Sequence, residues 1–133
     1  MNPITFHTIE QTQGIILEQD SSVLSDWYLR VREIPLPQLR IEDLCRSLRQ
    51  VLYPEYIVPV AIKLVERDPL IGEMYDGELL VAFKSIPESF WHANVSLAQR
   101  LFRVCGKPLT RMSDECRREV EGLRCKLKDV CPK

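Results

Sequence analysis

From Cys116 onward the apolar side chains recur at Val120, Leu123, Leu127 and Val130, a four-three-four-three spacing that lines one face of an α-helix over residues ~114–130. The two-residue alternation of a strand cannot produce this pattern, so this end of the chain is committed to helix and needs an apolar surface to lie on. Ser113 stands at the N-cap position, although Cys116 occupies the place where a capping box carries Glu or Gln.

Prolines punctuate the remainder into further helical segments. After the candidate caps Asp20, Ser21 and Ser22, the residues Leu24, Trp27, Tyr28 and Val31 predict a first helix over ~23–33, stopped by Pro35 and Pro37. Ile41, Leu44, Cys45, Leu48 and Leu52 predict a second, with Glu42 and Asp43 in its first turn, ending near Tyr53-Pro54. A third runs from Pro54 to Arg67, with Ile57, Ala61, Leu64 and Val65 as its apolar side and Pro59 close enough to its start to be tolerated. Leu79, Leu80, Phe83 and Ile86 predict a short fourth helix capped by Asp76, followed by a turn at Pro87-Glu88-Ser89. A fifth, capped by Asn94 or Ser96, presents Ala98, Leu101, Phe102 and Cys105 and stops at Gly106-Lys107-Pro108. Residues 1–22 read as an N-terminal arm, in which Thr5, Phe6 and Thr8, then Ile15-Ile16-Leu17, form either two short strands or irregular structure. A chain of 133 residues has the length of one domain, so the expectation is a mainly α, single-domain bundle or array of about six helices.

The same residues exclude several classes of function. The longest apolar run, from Ile57 to Ile62, falls far short of the ~20 residues a membrane span requires, and the N-terminus lacks the pattern of a signal peptide. The expectation is a soluble, cytoplasmic protein. An odd number of cysteines, five in all (Cys45, Cys105, Cys116, Cys125 and Cys131), favours free thiols, and no Cys-x-x-Cys pair or nearby histidine points to zinc. No Gly-rich phosphate loop, Gly-x-Ser-x-Gly elbow or His-Glu-x-x-His motif is present, and His7 and His92 each stand without an orienting partner. These absences argue for a non-enzyme that uses no cofactor and no metal.

Charge is unevenly distributed. Residues 1–50 carry a net −2, residues 51–92 a net −4 and residues 93–133 a net +5. The basic C-terminal third is interleaved with Asp114, Glu115, Glu119, Glu121 and Asp129, as on a solvated helix face, which argues against direct nucleic-acid binding. The acidic middle contains Glu55, Glu66, Asp68, Glu73, Asp76, Glu78 and Glu88, and Tyr75 sits within it in a loop bracketed by Gly72 and Gly77. A loop tyrosine among carboxylates suits contact with a basic partner. Phe90 and Trp91 could form an exposed anchor, but in a small α domain large aromatics serve better as core.

Several segments together resemble a known family. These are Leu29 to Leu36, Leu39 to Arg46 with Gln50, Val58 to Ala61, Asp68 to Leu80, and Phe90-Trp91. In this order they resemble the immunity proteins of bacterial contact-dependent growth inhibition (CDI) systems over residues 23–105, leaving 106–133 as a C-terminal helix outside the resemblance. The resemblance implies a cytoplasmic protein that binds the C-terminal toxin domain of a large secreted partner, one to one, and blocks it without catalysis. A soluble binder suits a toxin acting in the cytosol, a nuclease and in particular an RNase, whose basic cleft a carboxylate-rich surface could occupy or seal. On this expectation Glu73, Tyr75, Asp76 and Glu78 contact the toxin, with Glu55, Glu66 and Asp68 as outlying members of the acidic surface. Two other readings stand beside it. In one, the acidic loop serves the fold by capping the fourth helix and packing Tyr75. In the other, the chain is a helical regulatory or scaffolding domain that self-associates through Cys116, Val120, Leu123, Leu127 and Val130.

Overall fold

The computed structural model describes residues 3–14 and 26–131, which fall into two compact units, Met1–Arg40 and Ile41–Lys133. Among the described residues there are eight α-helices and two short 3-10 turns, and no strand. The protein is mainly α, as its periodicity predicts.

In the first unit, helix α1 (Phe6–Gln13) replaces the strand or irregular arm expected there. Its start is a reciprocal capping box: the Thr5 hydroxyl accepts from the Thr8 N–H at 3.1 Å, and the Thr8 hydroxyl accepts from the Thr5 N–H at 2.9 Å. Gly14, in the left-handed region at φ 70°, closes it. The expected apolar segment Ile15-Ile16-Leu17 lies outside the described residues. Helix α2 (Asp26–Val31) is the core of the predicted first helix.

Glu10 joins the two helices. It is 1% exposed, accepts from the Arg32 Nε at 2.9 Å and from the Tyr28 hydroxyl, and lies beside the stacked rings of Phe6 and Tyr28, 5.5 Å apart. Burial pushes its carboxyl up, but Arg32 and Tyr28 outweigh that and hold it below the ordinary carboxylate value. Backbone bonds from His7 N–H to the Arg32 carbonyl (3.1 Å) and from Leu36 N–H to the Ile4 carbonyl (3.0 Å) complete the tie.

The second unit comprises α3 (Ile41–Arg49), α4 (Pro54–Arg67), α5 (Glu78–Ala82) continued by a 3-10 turn at Phe83–Ser85, α6 (Glu88–Ala93), α7 (Val95–Cys105) and α8 (Asp114–Val130). Helix α8 lies on α5, α6 and α7, while α4 lies on α3 and α7. The α8 stripe of Val120, Leu123, Leu127 and Val130 is buried in these contacts, so four of the five residues of the seam considered for self-association are covered by the chain's own helices, and the fifth, Cys116, is half-buried. Ser113 caps α8 by accepting from the Cys116 N–H at 3.1 Å, and Pro59 is accommodated inside α4.

Helix α6 occupies the segment expected to open with a turn. Six residues are too few to display a period, yet they place Trp91 at 0% exposure, 6.2 Å from the Phe83 ring and edge-on to Phe90 at 5.2 Å. Trp91 is therefore core. Asn94 stands at the start of α7 but caps nothing there; its side-chain amide donates instead to the Phe90 carbonyl at 2.9 Å, finishing α6. Asp76 does not cap α5 either. The N-cap is Gly77 at φ 91°, which has no side chain to accept; the first N–H groups of α5 donate instead to loop carbonyls, Glu78 N–H to Tyr75 and Leu79 N–H to Ile71, each at 3.2 Å.

Candidate partner-binding surface

The segment between α4 and α5 is short, polar and tightly tied. Asp68 closes its first turn by accepting the Leu70 N–H on Oδ1 at 3.0 Å. Gly77 N–H then donates to the Leu70 carbonyl at 2.8 Å and Leu79 N–H to the Ile71 carbonyl at 3.2 Å, pinning both ends of the loop together. Gly72 is required by close approach, since a Cβ there would stand 2.2 Å from the Tyr75 carbonyl oxygen and 2.8 Å from the Glu78 Cβ.

Glu78 works from underneath. Only 4% exposed, it accepts the Glu73 and Met74 N–H groups on Oε1 at 2.9 and 3.0 Å, and the Arg49 guanidinium from α3 on Oε2 at 3.1 Å. Burial pushes this carboxyl up, yet the two backbone donors and Arg49 together hold it below the ordinary range, so it is ionised at neutral pH. The buried anion shapes the loop backbone and leaves the tip facing outward. Met74 is 80% and Tyr75 42% exposed, with Glu73 and Asp76 exposed on either side. Burial of one edge raises the Tyr75 phenol above its ordinary value, so it stays neutral.

The seven contact residues expected from sequence, six carboxylates and Tyr75, thus separate by position. Glu73, Tyr75 and Asp76 share the loop tip, with Asp76 3.7 Å from Arg111 in an exposed pair. Glu78 faces inward. Glu66 is engaged by Arg100, whose Nη2 and Nε reach its carboxylate at 2.6 and 3.1 Å and hold it below the ordinary range, clipping α4 to α7. Glu55, exposed in the first turn of α4, lies ~17 Å along the helix axis from Glu66 and belongs to a different part of the surface.

Met74 was not among the expected contacts, nor were two carboxylates on α8. Beside the loop opens a cleft of about 390 Å³ walled by Tyr75 and Val81 and lined by Lys84, Glu115, Cys116 and Glu119. Glu115 and Glu119 are one turn apart on α8 and read from sequence as part of a solvated face. Only the packing of α8 on α5 brings them to Tyr75. Of the histidines, His7 meets the Glu33 carboxylate at 2.6 Å and His92 is exposed.

Among the described residues no group of His, Cys, Asp and Glu side chains could hold a metal ion, and no helix is long and apolar enough to cross a membrane. All five cysteines are free, and burial pushes the Cys45 and Cys105 thiols up to about 12.

What the geometry describes is an α-helical protein whose most elaborated surface is a braced, outward-facing acidic loop. A family model for CDI immunity proteins matches residues 8–101, a span that includes this loop and ends before α8. The chain belongs to the CDI immunity protein family, whose members neutralise a CDI toxin. No curated protein matches it.

Proposed function

We propose that this chain binds the C-terminal toxin domain of its cognate CDI effector in the cytoplasm, as one copy to one, and neutralises it by covering or filling a basic surface. The toxin is a nuclease, of the RNA-cleaving kind, and the inhibition involves no turnover by this chain. The exposure of Met74 and Tyr75 on a loop braced by Glu78 carries this reading. An apolar pair held rigid among carboxylates loses little entropy on docking and complements the cationic clefts that nucleases use for phosphates. Glu73 and Asp76 supply charge at the tip, and Asp68 extends the acidic field, whereas Glu55 at the far end of α4 stands apart from it. Glu78 and Glu66 act at one remove, through the backbone of the loop and the α4–α7 clip.

Free thiols throughout the described chain support a reducing compartment. The test is calorimetry between this protein and the toxin-sized C-terminal region encoded upstream of its gene, at low and at high salt. Tight binding that weakens steeply with salt, together with loss of the toxin's RNA cleavage, is the expected result. Absence of binding under both conditions would overturn the reading.

A further inference from the structure

We propose that the cleft between the Gly72–Gly77 loop and α8 receives a lysine or arginine side chain of the toxin; the proposal rests on the toxin-binding reading and adds to it a second contact, made by α8. Three observations converge on a basic side chain as the occupant. The cleft is an open space of about 390 Å³, within the size range of ligand-binding pockets and large enough for a long side chain. Tyr75 lines one side, and an aromatic side chain attracts an ammonium or guanidinium.

The rim carries two carboxylates against one cation. Lys84 contacts Glu119, which leaves Glu115, exposed and with no ion pair among the described residues, as the surplus negative charge. The nearby Arg49 is neutralised by Glu78 and does not cancel it. Tyr75 belongs to both the loop tip and the cleft, so a toxin seated on Met74 and Tyr75 brings its own surface directly over the opening.

Cys116 lines this cleft and is partly exposed, which makes it a built-in reporter. The buried Cys45 and Cys105 thiols are held in the unreactive protonated form. In the full chain carrying Cys125→Ser and Cys131→Ser, the rate of Cys116 alkylation by a maleimide is measured with and without saturating toxin domain. The expected result is a slowing of about tenfold or more in the complex. In the same background, Glu115→Lys is expected to weaken toxin binding by at least about tenfold at low salt, as loss of a desolvated charge contact does, and Glu115→Gln by less.

Glu115 is exposed, so an unchanged circular dichroism spectrum and melting midpoint establish that these variants are folded. If the toxin binds but Cys116 reacts at its free rate, the cleft is not occupied and the proposal falls while toxin binding stands. If Cys116 is protected but Glu115→Lys binds normally, the toxin covers the cleft without inserting a cation, and the proposal is again overturned. If the toxin does not bind at all, the failure is that of the toxin-binding reading itself.

Discussion

Arg49 and Glu78, 29 residues apart, meet at 3.1 Å, and the oxygen of Glu78 that Arg49 does not touch holds the Glu73 and Met74 N–H groups. Helix α3 thereby reaches the loop backbone through the Glu78 carboxylate, and its Arg49 also meets the Tyr75 hydroxyl. Glu78→Ala removes an acceptor from two backbone donors and leaves Arg49 without its anion. Because the Arg49 side chain is 45% exposed, water recovers part of the loss, and a destabilisation of about 2–3 kcal/mol is expected by urea denaturation. An unchanged midpoint would show that the loop holds itself without the brace.

Glu10 and Glu78 both titrate in the folded chain below the ordinary 4.5, and Glu66, more exposed, contributes less. Unfolded, these groups take up protons as pH falls through about 4.5, while the folded chain resists until lower pH. The stability they confer is therefore complete above about 4.5 and is lost as pH drops through the folded values. Unfolding midpoints measured from pH 6 down to about pH 3 should fall on the acid side, and Glu78→Gln should make that fall shallower. Parallel curves for the two proteins would remove Glu78 as a contributor.

Two glycines are expected to respond oppositely to alanine. Gly77 sits at φ 91° with its Cβ position 2.3 Å from the Met112 Cε, so Gly77→Ala should destabilise by about 1–2 kcal/mol. Gly122 lies inside α8 with nothing within 4 Å of a built Cβ, and Gly122→Ala should stabilise by about 0.5–1 kcal/mol. Thermal unfolding of the two variants checks both signs. A stable Gly77→Ala would mean the turn can be rebuilt without the left-handed residue.

At the loop tip, Met74→Ala and Tyr75→Ala are each expected to weaken toxin binding by about tenfold or more, as truncation of an interface anchor does, with stability changed by less than about 0.5 kcal/mol for the exposed Met74 and by about 1 kcal/mol for the half-buried Tyr75. Charge reversal at Glu73 and Asp76 should mainly slow association and flatten the salt dependence. Association and dissociation rates separate these effects. Wild-type affinity in all four variants would move the interface away from this loop.

How much of this was legible in the sequence follows from the range of the forces involved. Helices α4 and α8 were readable to their ends because they are long enough to repeat an apolar period and carry local stops, Pro54 and Asp68 in one case and Ser113 in the other. Helix α6 was not, because six residues around Trp91 show no period and Pro87-Glu88-Ser89 has the composition of a turn. Helix α1 was hidden by its cap: Thr8 fills the capping-box position usually held by Glu or Gln, and Thr5-Phe6 with Thr8 then looks like a strand. The loop between Gly72 and Gly77 could be found from composition, but nothing local says that Glu78 turns inward while Glu73 stays out. That difference is set by Arg49, contributed by another helix, and the cleft with Glu115 and Glu119 exists only once α8 has packed on α5.

The brace also decouples outline from content. The course of the backbone from residue 72 to 78 depends on two glycines, one inward carboxylate and one guanidinium, none of which occupies the tip. The side chains at 73, 74 and 76 are exposed and can be exchanged with small effect on folding, while Tyr75 keeps one side on the cleft and Arg49. A lineage carrying this frame could therefore follow a changing toxin by rewriting a few outward letters, keeping the scaffold on which they are displayed.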